Sequence, residues 1–201
     1  MLIFDQLRIS DNGKRLYINA HINKASMFDK ITLESITIIT ADKVSETNPL
    51  EPTEDYIYKH NFKEGEREVN MVLTAADFLK KWEEDPKAML FKEADMSSTL
   101  FFVYIKCTGA TGDCTPCRLD EDITLGVTFD ESVLYQRVMD YTKALTDDCT
   151  VPVGFMDFIL LWYAFKAAIE TEHYVAAIKF YNMLFGTIDN RSTIKGCGCH
   201  G

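Results

Sequence analysis

An α+β fold is predicted: an antiparallel, β-rich N-terminal body, sandwich-like or barrel-like, over residues 1–130, then a C-terminal helical bundle or hairpin over residues 131–201. Three observations carry this. Apolar and polar residues alternate through Leu16-Tyr17-Ile18-Asn19-Ala20-His21-Ile22, the period of a strand with one buried face. Asn12-Gly13 stands just before that segment, and Asn-Gly is the strongest short hairpin signal because both residues tolerate positive φ. From Asp130 onward the apolar period lengthens to about 3.6 residues, the spacing of helices that bury one face.

The elements follow in order. Leu2-Ile3-Phe4 and Leu7-Arg8-Ile9 form the first arm of the hairpin, and Leu16 to Ile22 returns with Leu16, Ile18, Ala20 and Ile22 on one face. Ile31 to Ile39 is dense in β-branched residues and reads as a third strand. Ala41 to Asp55 is polar, holds Pro49 and Pro52, and is expected to run over the surface. Tyr56 to Phe62 alternates again. Thr74 has the position of an N-cap, with Asp77 three residues on in capping-box style, for a short helix through Trp82 buried on Phe78, Leu79 and Trp82. Leu100 to Cys107 is the most hydrophobic strand and is expected to be central, followed by a Gly- and Cys-bearing loop at 108–118 and a strand from Ile123 to Phe129.

Glu131 to Leu145 is helical, with Leu134, Val138, Tyr141 and Leu145 along one face. After a break at Asp147 to Pro152, helices are expected over Val153 to Glu172 and Tyr174 to Phe185. Their short Glu172-His173 joint makes them an antiparallel pair. The aromatic run Phe155, Phe158, Trp162, Tyr163, Phe165 covers more of its helix than one neighbour can bury. That surplus apolar face marks a subunit contact.

Composition sets the class. A chain of 201 residues with 47% hydrophobic residues can bury a real core. The formal charge of −10 argues against a protein that grips phosphate backbones, which concentrates Lys and Arg. Met1-Leu2-Ile3-Phe4-Asp5 has neither a basic nor an apolar leader region, so no signal peptide is expected. The longest apolar stretch, Phe155 to Ile169, is broken by Asp157 and Lys166 and falls short of a membrane span. A soluble protein made in a cytoplasm follows, with its six cysteines read as thiols or metal ligands before disulfides.

The least generic feature is the clustering of four of those cysteines. Cys114-Thr115-Pro116-Cys117 has the C-x₂-C spacing that presents two sulfurs to one ion, and Gly196-Cys197-Gly198-Cys199-His200-Gly201 could complete a tetrahedral zinc set. The second cluster is not a standard knuckle, so a shared zinc site, separate or oligomer-bridging thiols, and free thiols all stay open. The candidate metal ligands are Cys114, Cys117, Cys197 and Cys199, with His200 as a substitute, and the glycine-rich tail is expected to be pinned against the Cys114–Cys117 loop.

Nothing comparable marks a catalytic site. His21 and His60 lie on strands and read as surface or edge residues; Asp120-Glu121-Asp122 and Glu83-Glu84-Asp85 read as exposed acidic loops. Gly109-Ala110-Thr111-Gly112-Asp113 lacks the Lys-Ser/Thr that a phosphate-cradling loop needs. No constellation for a reaction class is present, and a non-enzymatic protein is expected.

The opening Met1-Leu2-Ile3-Phe4-Asp5-Gln6-Leu7-Arg8-Ile9 through Ile18, then Ile38-Ile39-Thr40-Ala41-Asp42-Lys43-Val44-Ser45-Glu46, resembles a structural protein of crAss-like bacteriophages that infect gut Bacteroidota. Ala176-Ala177-Ile178-Lys179-Phe180-Tyr181 and the Cys-Gly-Cys-His terminus add to the likeness. The resemblance implies a virion component of a short-tailed phage, a head–tail connector or tail protein in the neck or tail where rings stack below the portal. It implies a homo-oligomeric ring, twelve copies where it matches a portal, touching the portal and other neck or tail proteins. No catalytic residues carry over. An acidic inner wall would let genomic DNA pass without specific binding. The competing reading, from the cysteine clusters, is a zinc-stapled cytoplasmic interaction module.

Overall fold

The computed structural model describes residues 2–10, 12–23, 30–82, 96–110, 119–147 and 155–191. The described chain forms β1 (Leu2–Ile9), β2 (Arg15–Ile22), β3 (Lys30–Thr40), β4 (Tyr58–Asn61), β5 (Glu68–Thr74), α1 (Ala75–Trp82), β6 (Leu100–Ala110), β7 (Leu119–Phe129), α2 (Glu131–Asp147), α3 (Phe155–Glu170) and α4 (Tyr174–Arg191), with a 3₁₀ turn at Met96–Ser98. The chain is α+β, with antiparallel sheets first and helices after. It divides into two compact units, Met1–Glu131 and Ser132–Gly201.

The first unit is a sandwich of two antiparallel sheets, β1-β2-β5 and β4-β3-β6-β7. Alternation decides which residues face inward. Leu16, Ile18 and Ala20 of β2 and Val69 and Leu73 of β5 meet Ile36, Ile38, Phe101, Val103 and Ile105 from the other sheet in one core. Phe78 on α1 closes that core, stacked 6.0 Å from Phe101 and edge-on to Tyr58 at 6.0 Å. The Asp77 half of the capping box forms: Asp77 Oδ2 accepts from the Thr74 backbone N–H at 2.6 Å and from the Thr74 hydroxyl at 2.9 Å.

Differences from the sequence expectation have physical causes. At the first hairpin Gly13 takes the left-handed conformation, φ 64°, with its N–H on the Ser10 carbonyl at 2.7 Å, and the Ser10 N–H on the Arg15 carbonyl at 2.8 Å closes a turn longer than the two-residue Asn-Gly type. β5 has no counterpart in the sequence reading. Val69, Met71 and Leu73 alternate inward within its seven residues, a signal too short to stand out beside the Thr74 cap, and the ladder with all of Arg15 to His21 fixes it as a strand. The 41–57 connection is not wholly superficial: Ala41, Val44 and Pro49 are buried, and the Tyr104 hydroxyl donates to the Pro49 carbonyl at 2.7 Å. The cause lies in β6, whose continuous apolar run is buried on both faces and needs cover on both. Burial raises the Tyr104 phenol above its ordinary pKa. β7 and α4 also run longer than their apolar patterns indicate.

The second unit packs α2, α3 and α4 around aromatic contacts. Trp162 lies 5.6 Å from Tyr135 and 5.6 Å from Phe165, and Tyr181 bridges Phe165 at 5.9 Å and Phe185 at 4.7 Å. Arg137 of α2 pairs with Asp189 at 2.7 Å and stacks over the Phe185 ring at 4.8 Å, tying α2 to α4.

The α3–α4 joint is a Schellman turn, with the His173 N–H on the Ala168 carbonyl at 2.8 Å and the Glu172 N–H on the Ile169 carbonyl at 3.1 Å. Its left-handed residue is Glu172, φ 58°, where glycine is the ordinary choice. Since a Cβ costs about 1 kcal/mol or more in that conformation, Glu172→Gly is expected to raise stability by about 0.5–1 kcal/mol, glycine's looser unfolded chain offsetting part of the gain. A higher urea midpoint at unchanged slope is the readout; a lower midpoint would show that the Glu172 side chain contributes more than its backbone strain costs.

Candidate functional site

The feature least explained by folding is the outer face of α3. Helical periodicity turns Trp162, Phe165 and Ala168 into the unit's core. The same periodicity turns Leu160 and Tyr163 outward, 60% and 58% exposed, with Ala167 exposed one turn further on. Asp157 and Glu170 bound this stripe, and Lys166, reaching Glu170 at 3.8 Å, is the one charged side chain of α3 between them. α4 adds exposed Val175 and Met183. A helix apolar around its whole circumference suits burial on all sides, so a further protein surface is the natural cover. The sequence already showed this surplus; which residues form it needed the bundle.

A second surface was missed in the sequence. The outer face of the β1-β2-β5 sheet carries a cross-strand row Arg8–Tyr17–Val72, with the Arg8 guanidinium 4.9 Å over the Tyr17 ring and Val72 48% exposed. Arg15 stands in the next row, Asn19 donates to Gln6 at 3.1 Å in the row on the other side, and Ile3, His21 and Glu68 complete the face. Its only early signal is the identity of the polar partners in the β2 alternation, which register alone groups with β1 and β5.

The titratable groups build no comparable site. A β-bulge at Asp5 brings its carboxylate 2.7 Å from His21 Nδ1, both side chains about half exposed on an open sheet face. His60 stacks edge-on to Phe62 at 5.3 Å. A second bulge places Glu34 where the Thr108 hydroxyl donates to it and Lys106 lies 3.2 Å away; these partners hold its carboxyl below the usual range. Lys106 also reaches Glu121 at 3.1 Å. Cys107 is buried in the sandwich core, and burial pushes its thiol up to about 11, the state of an inert structural cysteine. The candidate metal ligands Cys114, Cys117, Cys197 and Cys199, and His200 with them, lie outside the described residues. Among the described residues no group of three or more His, Cys, Asp or Glu is placed to hold a metal ion, and no helix is long and apolar enough to cross a membrane.

Comparison with known proteins agrees with a chain that presents surfaces. The family model described as Crassvirus tail hub protein A matches residues 2–200. The chain is also 28% identical over 216 residues to Tail hub protein A of Bacteroides phage crAss001, covering 98% of this chain and 99% of that relative.

Proposed function

This chain belongs to the Crassvirus tail hub protein A family, and from that premise we propose that it is a non-catalytic subunit of a closed ring in the tail of a short-tailed phage. At the coarser level it is a structural protein of a bacteriophage tail, a component of the virion. The finer reading places copies of the chain, twelve where they match the portal, among other neck or tail proteins as a head–tail connector or hub. Assembly takes place in the host cytoplasm. The observation that carries it is the α3 stripe: Leu160 and Tyr163 stand in solvent in the single chain, and burying such a stripe against a neighbour stabilises an assembly by roughly 25 cal/mol per Å² of apolar surface. A net charge of −10 suits a lumen through which DNA slides by weak contact, without specific binding.

The test is made on particles. Purified virions should contain the chain in many copies, and phage lacking its gene should yield heads without complete tails. Absence of the chain from purified, infectious virions would sink the reading.

The zinc site at Cys114, Cys117, Cys197 and Cys199 stands as a separate proposal, carried by spacing alone. It expects about one zinc per chain in reduced protein, with sulfurs about 2.3 Å from the ion. A metal-free, fully folded sample refutes it.

A further inference from the structure

We propose that, in the ring just inferred, the α3 stripe of one copy docks lengthwise on the outer face of the β1-β2-β5 sheet of the next copy, with Asp157 meeting Arg8 and Arg15. Two properties of these surfaces match. The first is length. β2 from Arg15 to His21 spans about 20 Å at about 3.3 Å per residue, and α3 from Asp157 to Glu170 spans about 20 Å at about 1.5 Å per residue.

The second is charge. Exposed Arg8 and Arg15 occupy one end of the sheet face, and exposed Asp5 and Glu68 the other. On α3, exposed Asp157 stands at one end and the Lys166–Glu170 pair at the other. Laying Asp157 on the arginine end puts Lys166 about 14 Å further on, over the Gln6–Asn19 row, and sets Glu170, its charge offset by Lys166, beside Asp5, His21 and Glu68. Leu160 and Tyr163 then flank the Tyr17–Val72 row, which adjoins Arg15. Tyrosine and arginine are the residues that concentrate binding energy at interfaces, and the Arg8–Tyr17 stack holds both ready.

Pairing like with like is disfavoured. Two parallel α3 stripes set each acid against its own copy, and an antiparallel pair offers each Asp157 only a Lys166–Glu170 pair of no net charge. Two sheet faces repel arginine end to arginine end; laid the other way their ends attract, but that pairing leaves the apolar α3 stripe of both copies uncovered. Opposite charges on two different faces of one chain select a head-to-tail contact, the kind that closes into rings.

The experiment supplies variants from plasmids to a phage lacking the gene and counts copies per virion by quantitative mass spectrometry. Arg8→Glu with Arg15→Glu makes both contacting surfaces acidic, and Asp157→Arg makes both basic. Each alone is expected to enter virions at least about tenfold less than wild type. Supplied together, they can alternate around the ring, each mismatched face meeting its complement, and incorporation should return with both variants in each particle. Wild-type incorporation of either variant alone overturns the contact, as does failure of the mixture when each protein folds normally by circular dichroism. Should a reversal unfold the chain, the neutral variant Arg8→Gln, Arg15→Gln is expected to give an intermediate drop, and no drop overturns the contact. A wild-type count of about one copy per virion overturns the ring itself; many copies with harmless substitutions overturn only this contact.

Discussion

Trp162→Ala is expected to destabilise the helical unit by about 3–5 kcal/mol, the largest loss of any single truncation in that unit. Among the described residues Trp162 is the largest fully buried side chain, and it touches rings on its own helix and on α2: Phe165 and Tyr135 each stand 5.6 Å from it, centre to centre. Alanine leaves a cavity that two rigid rings cannot collapse to fill, so the lost transfer energy and the cavity cost add. Whole domains are stable by only about 5–15 kcal/mol, and the loss is a large share of that. Loss of helical circular dichroism at a much lower temperature checks it. A melting profile equal to wild type would mean that Trp162 is not the keystone its burial indicates. Leu160→Ala, by contrast, should leave the isolated chain's stability nearly unchanged, since that side chain is 60% exposed.

Gly126→Val is expected to be the most damaging small-to-large change in the sandwich. Gly126 of β7 stands opposite Val103, on the core side of its strand. A Cβ there would lie 2.5 Å from Leu7 Cδ2 and 2.7 Å from Phe4 Cε2, distances that real Cβ atoms do not adopt. The missing side chain is what lets β1 approach β7 and close that side of the sandwich. Valine must push β1 away or force Phe4 and Leu7 off their rotamers, at a cost of about 1–3 kcal/mol or more. The diagnostic is coupling: Leu7→Ala destabilises the wild type but should recover part of the stability in the Gly126→Ala background. Strict additivity of the two substitutions would refute the close approach as the cause.

Every element whose signal is local was legible along the chain. The inward face of β2 follows from alternation, the strand character of β3 from its β-branched residues, the Thr74–Asp77 cap from two residues three apart, and the three helices from their 3.6-residue period. The excess of apolar surface on α3 was legible too, because counting residues around a helix needs no neighbour. So was the likeness to crAss-like phage structural proteins, which the family match bears out at the level of a tail protein.

Features that depend on partners distant in sequence emerge only on folding. β5 carries only a short alternation, Val69, Met71 and Leu73, and the ladder that β2 offers fixes it as a strand. Pro49 is buried because Tyr104, 55 positions away, supplies a hydroxyl and an uncovered apolar face. Gly126 is needed because Phe4 and Leu7 arrive from another sheet. The Arg8–Tyr17–Val72 row exists only once register lines up three strands, and the outward turn of Leu160 and Tyr163 only once Trp162 and Phe165 have turned inward. Backbone propensity acts over a few residues, whereas burial and register are properties of pairs, and the chain reveals its pairs only by folding.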